Sequence, residues 1–136
     1  MDTGLKIGKV ILANAEDELR NLVHKYDVHK TLDIDSFCLE DVGGYTCCIP
    51  NDKEGLVHVV YLNTKAGFDQ RYKHEYIMTL IHEAVHVKQG FLRYICEEKP
   101  GEEIEAYLVE DIVDALVQQF TDKEKKWKKQ YKRKIA

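Results

Sequence analysis

Apolar positions recur at helical spacing in three stretches of the chain, and between them lie runs of β-forming residues bounded by turn residues. Leu19, Leu22, Val23 and Tyr26 repeat at intervals of three and four. Ahead of them Asn14 is a candidate N-cap, and Glu16, Asp17 and Glu18 fill the first turn, where the helix dipole favours carboxylates. A helix over about residues 15–26 is predicted. Residues 27–42 mix Asp33, Asp35 and Asp41 with Leu32, Ile34 and Phe37 and predict turns with one short helix. After Gly43-Gly44 the β-formers Tyr45 to Ile49 lead into Pro50-Asn51-Asp52-Lys53-Glu54-Gly55 and then Leu56 to Leu62, which predicts a β-hairpin.

From about Asp69 the helical period returns. Tyr72, Tyr76, Ile77, Leu80, Ile81, Ala84 and Val85 form one broad apolar face, which Gly90 would suit as a terminator. A third helix opens after Pro100-Gly101, with Glu102, Glu103 and Glu105 in its first turns. Val109, Ile112, Val113, Leu116, Val117 and Phe120 make its buried stripe.

With 136 residues, 44% hydrophobic and 32% charged, the chain has the composition of one ordinary domain, long enough to build a core without disulfides or a structural metal. Any metal is therefore expected to serve chemistry. The longest apolar stretches fall far short of the ~20 residues that span a bilayer, so no membrane partner is expected. Val10 to Ala13 faintly mimics a signal peptide but is too short and runs into Glu16-Asp17-Glu18, which predicts a cytoplasmic protein. Cys38, Cys47, Cys48 and Cys96 show no CxxC pair and are read as reduced thiols. Charge is unevenly spread: residues 121–136 carry eight Lys/Arg against two acids, a local +6 that leaves −10 on the rest of a chain of net charge −4. Residues 1–120 are accordingly read as one domain and 121–136 as a basic helical tail.

The second helix contains His82-Glu83-Ala84-Val85-His86, the HExxH pattern. Histidines four apart project from one helix face a turn apart, which lets both imidazoles reach one zinc at about 2.0–2.1 Å. Glu83, beside the first of them, then serves as general base toward a zinc-activated water. Chance gives this pattern roughly 0.02 times in a chain of this composition, before a helix is required. A catalytic zinc takes three protein ligands, and the acidic start of the third helix offers candidates. By helical phase Glu105 and Glu102 lie nearer the apolar stripe than Glu103.

These residues resemble the gluzincin type of zinc metallopeptidase, in which HExxH is followed by a helix whose Glu completes the site. In that type the ligand Glu stands three residues before a small residue, and Glu103 occupies that place before Ala106. The next position, often acidic or Asn in the family, is Tyr107 here. Taken together, residues 75–115 look most like small HExxH metallopeptidases of phages and prophages. The resemblance implies an α+β, compact, minimal zincin-like fold, with a small antiparallel sheet packed on the HExxH helix and the following Glu-bearing helix. It also implies a peptide or protein substrate and Zn2+ held by His82, His86 and Glu103, with Glu105 as the alternative.

Tyr107, His74 and Tyr61 are candidate transition-state stabilisers, Tyr107 first among them. His58 reads as a core or surface histidine, and the strand Val57 to Leu62 as either a core strand or an edge that holds an extended substrate. Beyond Phe120, Trp127, Tyr131 and Ile135 continue the apolar seam of the third helix, which favours docking of the tail on the acidic body over binding of nucleic acid. The function expected is a zinc-dependent peptide hydrolase; the alternative is a non-catalytic metal-containing binding or regulatory protein.

Overall fold

The computed structural model describes residues 8–64, 67–95 and 101–135, with the side chain of Ile135 excepted; Cys96 and Pro100 lie outside the described residues. Three strands form one sheet in the order β1-β3-β2, where β1 is Gly8–Ala13, β2 Gly44–Asn51 and β3 Gly55–Leu62. Helices α1 (Glu16–Tyr26), α2 (Lys73–Tyr94) and α3 (Glu102–Ile135) complete an α+β fold. The hairpin β2–β3 is antiparallel, as its turn-rich connection predicts; Asn51 Oδ1 accepts from the backbone N–H groups of Lys53 and Glu54 at 3.0 Å each.

The sheet is mixed, not antiparallel throughout. Lys9 to Ala13, too short to stand out as an apolar run, pairs in parallel with Val57 to Tyr61. Alternation then divides β3 between two cores. Leu56, Val60 and Leu62 pack with α2 and α3, while Val57, Val59 and Tyr61 pack with α1 and the 32–42 loop. Buried on both faces, β3 is the central strand, and the edge position considered for it falls to β1 and β2. At β1 the edge is occupied: the Gln119 amide of α3 accepts from Leu12 N–H and donates to Val10 C=O, both at 2.8 Å.

Two helix-end expectations change. The residue capping α1 is Ala15, with no side-chain cap, and the carboxylate of Glu18 instead accepts from the backbone N–H of Asn14 at 2.9 Å. Gly90 does not terminate α2. The helix continues to Tyr94, and Gly90 is buried in its interior because His58 of β3 packs against it: a Cβ there would lie 2.2 Å from His58 Nε2. The apolar face of α2 is also broader than the part it buries. Tyr76, Leu80, Ala84, Val87 and Phe91 enter the core, whereas Ile77, Ile81 and Val85 remain exposed.

The basic tail is continuous with α3, which runs unbroken through residue 135. Its first turns lie against the body. Trp127 packs with Phe68 at 6.2 Å between ring centroids, Lys123 pairs with Glu18 at 2.8 Å, and buried Glu124 accepts from Lys73 at 3.2 Å. Beyond Trp127 the side chains of residues 128–134 are exposed. Among the described residues, no helix is long and apolar enough to cross a membrane.

Candidate metal centre

His82, Glu83 and His86 stand on α2 where it passes β2. Strand and helix come this close because Gly44 has no side chain: a Cβ there would meet Thr79 Cγ2 at 2.5 Å and Glu83 Cγ at 3.3 Å. Two residues on, at the same face of the strand, Thr46 Oγ1 donates to Glu83 Oε1 at 3.0 Å. Glu83 is buried, 5% exposed, while both histidines reach solvent. Their rings are 5.0 Å apart between centroids. Gln89 Oε1 stands 3.2 Å from His86 Nδ1, and with that nitrogen donating, Nε2 keeps the lone pair that a metal ligand needs.

All three line one open cavity of about 380 Å3, together with Thr46, Cys48 and Arg93. His58 lies in its wall. It is fully buried, both ring nitrogens lack a hydrogen-bond partner among the described residues, and Phe91 packs on it at 4.6 Å. Burial, helped by the nearby Arg93 charge, pushes its pKa down to about 4, so the imidazole is neutral at physiological pH. Its cross-strand neighbour Cys48 has its thiol pKa raised by burial, with Arg93 pulling the other way. Cys38, Cys47 and Cys48 are free thiols.

The α3 carboxylates stand apart from this cavity. Glu103 is exposed and does not line it. Glu105 accepts from Lys88 Nζ at 2.8 Å, and Lys88 lies about 160° around α2 from His86, so that contact is on the far flank of the helix. Among the described residues no group of three or more His, Cys, Asp or Glu side chains comes together to hold a metal ion. The donors present fit the two-histidine part of a zinc centre with an adjacent carboxylate.

None of the three candidate stabilisers lines the cavity. Tyr107 and His74 are exposed elsewhere, and Tyr61 is buried on the opposite face of the sheet. Thr46 and Arg93 do line it and were not singled out by the sequence. The signal for Thr46 was the alternation Gly44, Thr46, Cys48 along β2; for Arg93 it was phase, since it shares the α2 face of His82 and His86. Comparison with family models, characterised proteins and solved structures gives no match.

Proposed function

We propose that this chain is a zinc-dependent hydrolase acting on peptide bonds. The observation that carries the reading is the convergence of His82, His86 and a buried, hydrogen-bonded Glu83 on one solvent-open cavity. His82 and His86 would hold the ion, and zinc when bound supplies Lewis acidity toward water and the substrate carbonyl. Glu83 accepts the proton released by the attacking water and delivers it to the leaving amine, with Thr46 holding the carboxylate toward the cavity. The third ligand belongs to the proposal as Glu103, with Glu105 as the alternative. Each requires the start of α3 to approach the histidines more closely.

Peptide is the substrate class favoured because β2 is an edge strand bordering the cavity. An extended chain added there would draw main-chain hydrogen bonds from the strand and lie beside Glu83. A cytoplasmic setting is part of the same reading, supported by exposed thiols at Cys38 and Cys48.

The test is metal content after purification without chelator. Wild type should hold about one zinc per chain, lost on joint His82→Ala and His86→Ala substitution. Glu83→Gln should keep the zinc and abolish peptide cleavage. Equal metal in wild type and the double variant would overturn the reading. The separation of the α3 carboxylates from the histidine pair favours the second reading, a metal-containing binding protein without turnover. That reading gains if zinc is bound, nothing is cleaved, and a partner binds wild type and Glu83→Gln equally.

A further inference from the structure

Between α2 and α3 the surface carries an apolar groove that the fold leaves uncovered. Ile77, Leu80 and Ile81 form one wall and Val113, Leu116 and Val117 the other, around a space of about 100 Å3. Ile77, Ile81 and Val117 are 39, 46 and 43% exposed, and Val85 extends the α2 wall by another turn. The exposed aliphatic side chains lie side by side along the groove and offer a candidate contact surface.

The charges of α3 indicate what covers it. This helix of 34 residues, about 51 Å long, is divided at its middle. Residues 102–120 carry six acids and no base, whereas residues 121–135 carry eight bases and two acids. Val117 stands within two residues of the midpoint, so the groove lies where the sign of the charge reverses. A second copy related by a two-fold axis through the groove would run its α3 antiparallel to the first. Each −6 half would then face a +6 half, twice over, with the aliphatic walls meeting at the centre. An isologous contact repeats every favourable pair by symmetry and leaves no half unmatched. Antiparallel alignment also opposes the two helix dipoles favourably.

We propose that the α2–α3 groove is the contact of a closed, antiparallel homodimer, held by its aliphatic walls and registered by the two oppositely charged halves of α3. The proposal is independent of the metal site.

Sedimentation velocity on the full chain tests it. Wild type should pass from monomer to dimer with rising concentration and stop there. Raising salt from about 50 to 500 mM should weaken the dimer at least about tenfold, because the charges that set the register are exposed and screened. Joint substitution of Ile81→Asp and Val117→Asp should give a monomer with unchanged helical circular dichroism, both side chains being largely exposed. A second pair of variants tests the partner directly. Reversing Lys128, Lys129 and Lys132 to Glu should weaken self-association, as should reversing Glu102, Glu103 and Glu105 to Lys, which a two-fold axis at the groove sets opposite them, and mixing the two should restore a dimer. The proposal is overturned by a wild type that stays monomeric at low salt, by assembly that continues past two copies, by a dimer indifferent to the aspartate pair, or by a mixture that fails to associate.

Discussion

A Cβ placed on Gly90 would stand 2.2 Å from His58 Nε2, so the imidazole of β3 occupies the space that any other residue at position 90 would need. In an exposed helix interior, alanine would stabilise by about 1 kcal/mol relative to glycine. Here overpacking wins. Gly90→Ala is expected to destabilise by about 1–3 kcal/mol in urea unfolding, because the methyl meets a ring backed by Phe91. Combined with His58→Ala, the added cost of Gly90→Ala should shrink or vanish, since the two changes share one space. Strict additivity in that cycle would break the link between the two residues.

The same histidine imposes a pH dependence. Its pKa is about 4 in the folded chain, against an ordinary value near 6.5 when unfolded, so between these values the unfolded state binds the extra proton. Stability contributed by the neutral imidazole is complete above about pH 6.5 and falls as the pH drops toward 4, by up to about 3 kcal/mol. His58→Leu should flatten the stability profile across that window, whatever it does to stability at neutral pH. An unchanged slope between pH 6.5 and 4 would contradict the burial of an uncharged ring.

Helical period was enough to read the three helices, and β-forming residues on either side of a turn-rich connection were enough to read the hairpin. Neither was enough for β1, where Val10 to Ala13 is a strand only because β3 lies ready to accept it in parallel. The HExxH face followed from helix geometry alone, since His82, Glu83 and His86 share one element. What could not be read was anything joining two elements at a distance: Thr46 on Glu83, His58 on Gly90, or the flank of α2 that Glu105 meets. Gly90 shows the cause most clearly. A glycine near a helix end has the same local signature whether it stops the helix or makes room for a side chain from a strand.

Thr46 is expected to matter through Glu83 alone. Thr46→Val keeps the shape of the strand residue but leaves the buried carboxylate with one hydrogen bond fewer, at a cost of about 1–3 kcal/mol. Glu83→Gln retains an acceptor for the Thr46 hydroxyl and should cost less. Neither change touches His82 or His86, so zinc affinity should stay within a few-fold of wild type in both. Chemical unfolding together with metal titration separates the two effects. A Thr46→Val protein as stable as wild type would mean that the Thr46–Glu83 bond contributes nothing in solution.

The docking of the basic segment rests on Trp127 more than on its charges. The indole packs on Phe68 and lies over Gly67, where a Cβ would meet Nε1 at 3.0 Å, and Tyr131 stacks on its outer side at 5.3 Å. The Lys123–Glu18 pair at 2.8 Å is partly solvent-exposed, so Lys123→Ala should cost at most about 1 kcal/mol, less at high salt. Trp127→Ala should cost more, about 1–3 kcal/mol, because it removes a large aromatic surface from Phe68 and the core around it without an ion to screen. Trp127 is the single tryptophan of the chain, so its emission reports the contact directly. It should be blue-shifted in the folded protein and insensitive to salt. Emission at the position of a fully hydrated indole, or a Lys123→Ala variant less stable than Trp127→Ala, would mean that charge holds the segment and not the aromatic contact.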